Sequence, residues 1–286
     1  MDINNLSLAQ RAKSYSKQKA LGQNFLIDES IHDAIVEVSE LSKDDIVLEI
    51  GAGIGFLTER IIPEVKHLYA LELDARACTH LEMLAKFNDN FTYKNADVLQ
   101  TNLKDIISEE HLATKSIKVV ANIPYQISTK ILLHLLGEIG FPSENQPFIS
   151  EIYILVQKEY AERLSAMPAS KDYSALTLSA NYYTEPEYLF TVEPECFQPA
   201  PKVTSAFIKL KLRDKPKVEA PQPKQLRRFI KAIFANRRKV LSNSLKAAGY
   251  SKEEIDFLKL DPKLRGETLS LEQINELVIE LDKRNA

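Results

Sequence analysis

Between about residue 28 and residue 160, short apolar runs alternate with amphipathic stretches. A helix is predicted from Asp28, because Ile31, Ala34, Ile35, Val38 and Leu41 recur at helical spacing and Asp28 stands at the N-cap. Strands are predicted at 46–50, 67–73, 91–94 and 117–121, with helices at 55–62 and 76–87 among them. Ser128 opens a further helix through Leu136, and Ile152 to Val156 reads as another strand. Two more strands fall near 185–192 and 203–212, the last alternating Val203, Ser205, Phe207 and Lys209. This alternation predicts an α/β fold with a parallel sheet covered by helices on both faces.

The pattern then changes. Residues 213–224 are polar and hold three prolines, which reads as a linker. Beyond them only helical patterns occur, at 224–247, 252–258 and 270–283. The expected organisation is a ligand-binding domain over 1–213, a linker over 214–224 and a small helical domain over 225–286.

Charge sharpens the second region. The chain carries a net charge of −3, yet Lys224, Arg227, Arg228, Lys231, Arg237, Arg238, Lys239 and Lys246 form a stretch without an acidic residue. Removing that +8 leaves −11 for the rest. At about 100° per residue, Leu226, Phe229, Ile230, Ile233, Phe234, Val240 and Leu241 share one arc of a helix. The basic residues, Arg237 excepted, share the opposite arc. A solvated face usually mixes signs, so the stripe reads as a phosphate-tracking surface. Charge leaves RNA and DNA both open.

Candidate chemistry lies in the first region. Three of the chain's eight glycines, Gly51, Gly53 and Gly55, fall in one turn after an apolar strand. Such a turn suits backbone that must bend sharply and approach a ligand closely. Phe56 stands where a dinucleotide fingerprint needs its third glycine, and no Lys-Ser/Thr pair makes a P-loop. A nucleoside ligand without pyrophosphate fits, with S-adenosylmethionine as the candidate. Glu72 or Asp74 at the end of the second strand is placed to reach ribose hydroxyls; Glu72, nearer the strand's end, is the choice. Asp97 could accept from an adenine amine.

Asn122-Ile123-Pro124-Tyr125 follows the fourth strand. The Asn122 side chain and the Ile123 carbonyl can each accept a hydrogen bond, which matches both protons of an exocyclic amine. Tyr125 offers a stacking face for a base out of its stack. The alternative is a plain Asn/Pro turn ending a strand. Two cysteines give neither a disulfide framework nor a zinc set, and the five histidines show no metal-ligand spacing. No metal site is expected. No apolar run reaches membrane-spanning length and no signal peptide is evident, so a cytoplasmic protein is expected.

Together these motifs resemble the ribosomal RNA adenine dimethyltransferase family over nearly the whole chain, its small-subunit branch most closely. Leu21-Gly22-Gln23-Asn24-Phe25-Leu26 is similar to the family's opening segment, and Asn24 and Leu26 match positions that border the cofactor. Gly51, Glu72, Asp97 and Asn122 match the other cofactor-contacting positions, Gly53 of the same glycine loop is a further cofactor-binding candidate, and Glu49 matches an acidic residue near the cofactor's amino group. Phe197, in a segment resembling F-x-P-x-P-K-V, would face Tyr125 as a second aromatic wall; read from its own surroundings it could equally be core. Asn236 to Lys239 with Asn243-Ser244-Leu245 resembles the small-subunit branch, whereas Tyr173-Ser174 departs from its usual Tyr-Gly.

The resemblance implies a Rossmann-like methyltransferase domain with a seven-stranded, mostly parallel sheet whose last strand is antiparallel, plus the helical domain. It implies a catalytic group of Asn122, Ile123, Pro124, Tyr125 and Phe197. Arg227, Arg228, Lys231, Arg237, Arg238 and Lys239 would contact RNA. The implied reaction moves methyl groups from S-adenosylmethionine to the N6 amines of two adjacent adenosines in the hairpin near the 3′ end of 16S rRNA. The partner would be an immature small subunit, met by a monomer. Rival readings are a 23S rRNA methyltransferase conferring antibiotic resistance, a DNA adenine methyltransferase, and a ribosome-assembly factor for which methylation is secondary.

Overall fold

The computed structural model describes residues 6–15, 23–237 and 239–285; Leu21, Gly22 and Arg238 of the motifs above lie outside them. The chain opens with α1 (Leu8–Ser14) and a two-residue strand β1 (Phe25–Leu26). Asp28 caps α2 (Glu29–Val38) as predicted, its carboxylate accepting from the Ser30 and Ile31 N–H groups. Then come β2 (Ile46–Ile50), α3 (Thr58–Ile61), β3 (His67–Glu72), α4 (Ala75–Phe87) and β4 (Phe91–Asn95). They are followed by α5 (Glu109–Ala113), β5 (Ile117–Asn122), α6 (Ser128–Leu136) and the small hairpin β6 (Gly137–Glu138) and β7 (Phe141–Pro142). After it run β8 (Ile149–Gln157), α7 (Lys158–Leu164), α8 (Ala175–Tyr183), β9 (Thr184–Val192), β10 (Phe197–Gln198) and β11 (Ser205–Leu212).

The main sheet has seven strands in the order β4-β3-β2-β5-β8-β11-β9. β4, β3, β2, β5 and β8 pair in parallel, and β11 runs antiparallel to β8. All five residues of β2 are buried, as expected of a strand covered on both faces. The strand order reverses at β2: β3 and β4 extend to one side, β5 and β8 to the other. Such a switch opens a crevice beyond the carboxyl ends of β2 and β5, where α/β sheets place ligands.

The chain divides into two compact units, the first comprising residues up to Leu136 with 143–161 and 187–212. The second takes in 137–142, 162–186 and everything from Arg213 on. Sequence alone put a boundary at 213 and a linker at 214–224; the structure differs on both points. The second unit draws in the β6–β7 hairpin and α8, because Ile139, Tyr173, Leu178, Tyr182 and Tyr183 share its core. Residues 214–224 are tied down: Val218 is buried, the Lys217 N–H donates to the Tyr182 carbonyl at 2.9 Å, and Asn275 Nδ2 donates to the Glu219 carbonyl at 3.1 Å.

The predicted helix over 224–247 is two helices, α9 (Pro223–Ala235) and α10 (Leu241–Ala247), followed by α11 (Lys252–Phe257) and α12 (Leu271–Asn285). Pro223 is pre-set for the first helical position. Leu226, Phe229, Ile230 and Ile233 are buried, each worth about 1.5–3 kcal/mol of burial. Asn236 leaves the helix at φ −140°, and the Leu241 N–H restarts the chain by donating to the Leu264 carbonyl at 2.7 Å. The break is set by partners distant in sequence, which a local periodicity cannot register. Among the described residues no helix is long and apolar enough to cross a membrane.

Candidate functional site

A cavity of about 380 Å³ lies in the first unit, within the range of small-molecule sites. Gly51 and Gly53 form its floor with φ of +78° and +57°, conformations that side chains rarely adopt. A Cβ on Gly51 would stand 3.2 Å from the Asn122 carbonyl oxygen. The glycine therefore lets the β2–α3 loop lie directly against the turn that follows β5.

Of the two acidic residues weighed at the end of β3, Glu72 faces the cavity and Asp74 does not. Glu72 Oε2 accepts from the Gly53 N–H at 2.7 Å, and Oε1 accepts from the Asp74 N–H at 2.8 Å. Burial raises its pKa, and these backbone donors work against that rise. Asp74 caps α4 and is held by Tyr15, Gln23 and Arg76, the Arg76 guanidinium keeping its carboxyl well below the usual range. Asp97 lines the cavity after β4, with Oδ1 accepting from the Leu99 N–H at 2.9 Å.

Glu49 also lines the cavity and is 2% exposed. Thr58 Oγ1 donates to its Oε2 at 2.6 Å. Burial pushes its pKa up to about 7, the Thr58 hydrogen bond resists, and the neighbouring Glu72 adds to the rise. A ligand bearing an ammonium group would supply the missing counter-charge.

Asn122 ends β5 and lines the cavity together with Ile123, Pro124 and Tyr125. The Asn122 side-chain amide makes no hydrogen bond among the described residues, so its acceptor is open to a ligand. The Tyr125 hydroxyl is 2.5 Å from Ser205 Oγ on β11, which fixes the ring's edge and leaves its face for stacking. Phe197 is 2% exposed, belongs to the main core and also lines the cavity. β10 pairs antiparallel with β1, Leu26 opposite Phe197, so segments 171 residues apart close one side of the site. Asn24 and Leu26 line it as well.

Sequence reasoning missed three residues here. Ser205 and Thr58 act as hydrogen-bond partners across the fold, and nothing local marks them. His32, in the cavity wall, had a signal: a polar ring one turn before Ile35 on the buried face of α2.

The basic residues of the second unit separate into two groups. The Arg227 guanidinium pairs with Glu138 of the β6–β7 hairpin and packs over the Phe141 ring. Arg237 donates to the Lys171 carbonyl at 2.7 Å and the Ser170 carbonyl at 3.4 Å, and pairs with Glu267 at 3.3 Å. Both are engaged within the unit, and Lys231 Nζ also lies 3.8 Å from Glu138. Lys224, Arg228, Lys231, Lys239 and Lys246 are exposed.

Known proteins bear on this geometry. The sequence pattern of the ribosomal RNA adenine dimethylase family matches residues 14–283. The chain is 40% identical over 264 residues to "Ribosomal RNA small subunit methyltransferase A" of Caldanaerobacter subterraneus subsp. tengcongensis, covering 91% of this chain and 95% of that one. It is 39% identical over 267 residues to the protein of the same name from Clostridium acetobutylicum, covering 92% and 93%. Among solved structures it resembles the 23S rRNA methyltransferase ErmE with a TM-score of 0.68 and 26% identity, over 91% of this chain and 100% of that one. A dimethyladenosine transferase from Plasmodium falciparum shares the fold, with a TM-score of 0.73 at 24% identity over 90% and 97%. With its glycine loop, the acidic residues behind it and the Asn122 turn gathered at one cavity, the chain belongs to the ribosomal RNA adenine dimethylase family, enzymes that depend on S-adenosylmethionine.

Proposed function

We propose that this protein dimethylates the N6 amines of two adjacent adenosines in the hairpin near the 3′ end of 16S rRNA, acting as a monomer on immature small subunits in the cytoplasm. The observation that carries the chemistry is the open Asn122 side chain beside the Ile123 carbonyl, in the wall of a cavity floored by Gly51 and Gly53. The residues fit S-adenosylmethionine. Gly51 leaves room for close approach, Glu72 is placed for ribose hydroxyls, Asp97 for the adenine amine and Glu49 for the ammonium group. Bound there, the cofactor supplies a methyl on a sulfonium, with a thioether that leaves without needing a proton.

The adenosine N6 is a weak nucleophile, because its lone pair is delocalised into the ring. Asn122 Oδ1 and the Ile123 carbonyl each accept one N–H, which favours a pyramidal nitrogen with its lone pair free. Tyr125 and Phe197 hold the base by its faces. Positioning of this kind is worth about 7–11 kcal/mol at best. The amine is neutral, so no strong base precedes attack. Attack leaves the methylated nitrogen positively charged, and it gives up one proton to solvent; a single N–H then remains, and the second transfer proceeds with one of these hydrogen bonds missing. The small-subunit target is favoured by relatives of 38–40% identity that carry that name.

The test is to incubate the purified protein and S-adenosylmethionine with small subunits from cells lacking the gene, then digest the RNA for mass spectrometry. Dimethyladenosine at two adjacent positions near the 3′ end is expected; methylation of large-subunit RNA in the parallel reaction would favour the rival target.

A further inference from the structure

Among the described residues, the cavity wall contains three carboxylates, Glu49, Glu72 and Asp97, and no Lys or Arg. Such a wall suits a ligand's hydroxyls, amines and ammonium group. Among these described lining residues a ligand carboxylate finds no cationic side chain. His32 is the one side chain among the described lining residues able to act as a heterocyclic N–H donor.

Its state is unusual for a packing residue. His32 is 1% exposed, yet Nδ1 is buried with no hydrogen-bond partner. Nε2 is not among the sealed, unpartnered atoms, and the ring lines the cavity. An orphaned buried acceptor costs less than an orphaned buried N–H, which puts the proton on Nε2. Burial brings the ring's pKa down to about 4; Arg60 pushes the same way, Asp33 and Asp28 the other, and the imidazole is neutral at neutral pH. Phe56 packs against it with ring centroids 6.4 Å apart.

Sheet order tells which end of the ligand it meets. Asp97 follows β4 and Glu72 ends β3, on one side of the switch at β2. α2 packs against α3, which follows β2. An adenosine held by Asp97 and Glu72 therefore extends its amino-acid end toward β2 and α2.

We propose that His32 holds the carboxylate of the cofactor's amino-acid end through Nε2–H, as a specificity residue for that end of the ligand. The inference rests on S-adenosylmethionine occupying the cavity. Calorimetry with two ligands tests it: S-adenosylhomocysteine, which keeps the carboxylate, and 5′-methylthioadenosine, which lacks the amino-acid end. His32→Phe should weaken S-adenosylhomocysteine roughly ten-fold or more, the scale of a hydrogen bond to a charged group. It should leave methylthioadenosine unchanged, and His32→Gln, whose amide can reach the same place, should restore most of the loss. Equal weakening of both ligands would reduce His32 to packing and overturn the proposal, as would unchanged affinity for S-adenosylhomocysteine. If His32→Phe fails to fold, the wild type serves. With ¹⁵N-labelled histidine, the His32 ring signals should move with S-adenosylhomocysteine and stay with methylthioadenosine; the reverse or no movement would sink the idea. Wild-type protein that binds neither ligand would instead refute the cofactor reading itself.

Discussion

The cavity of the first unit and the α9–α10 surface of the second both rely on charge, in opposite ways. The cavity holds Glu49 and Glu72 almost fully buried, each with defined donors: Thr58 for one, the Gly53 and Asp74 backbone for the other. The second surface presents Lys224, Arg228, Lys231, Lys239 and Lys246 to solvent. A buried charge acts through one or two fixed partners, so its removal is felt singly and sharply. Exposed cations act as a sum, screened by salt, and no one of them is decisive.

The sharpest break between the two regions is expected at Asn122. Asn122→Ala should lower the single-turnover methylation rate roughly a hundred- to thousand-fold, the scale seen when one pre-organised hydrogen-bonding group is lost from an active site. Affinity for the small subunit should stay within about two-fold of wild type, since the basic surface is untouched. A near-normal rate would remove the amine-orienting role.

Glu49 tests the cost of burying charge. Its pKa in the folded protein is up to about 7, above the ordinary 4.5. Below that ordinary value it is protonated in both states. Between the two values the unfolded chain ionises first, so stability falls as pH rises, and above the folded value the loss is complete. Glu49→Gln should abolish this fall and stabilise the ligand-free protein by up to about 3 kcal/mol at pH 8. Thermal unfolding across pH 4 to 8 reads it; parallel curves for the two proteins would contradict it.

These two regions also differ in how much their sequences disclose. Gly51 and Gly53, a carboxylate at the end of β3 and an Asn-Ile-Pro-Tyr turn are constraints within a few residues of chain, and all of them line the cavity, whereas Gly55 of the same turn packs against Leu81 and Leu84. The strands, the sheet's parallel character and the Asp28 cap were legible for the same reason. The fate of Arg227 was not, because its partner Glu138 lies 89 residues earlier. Arg237 likewise turns to carbonyls 66 and 67 residues away, and that interaction accompanies the break between α9 and α10. The division into units escaped notice because α8 and the β6–β7 hairpin join a core built mostly from later chain. His32 was visible only as a polar residue on an apolar face, a pattern that signals a question and not its answer.

The exposed basic residues are the ones our reading assigns to phosphate. Lys231→Glu/Lys239→Glu should weaken binding to the small subunit and make its salt dependence shallower, by about one in log–log slope for each phosphate no longer neutralised. Binding titrations from low to moderate salt measure this, and an unchanged slope would place the RNA surface elsewhere.

Mass spectrometry of ribosomal RNA from cells with and without the gene decides whether the protein dimethylates adenosine in small-subunit RNA. Two adjacent N6,N6-dimethyladenosines near the 3′ end of 16S rRNA are expected in cells with the gene and unmodified adenosines in cells without it. An unchanged 16S pattern, with dimethyladenosine lost from 23S rRNA instead, would contradict it.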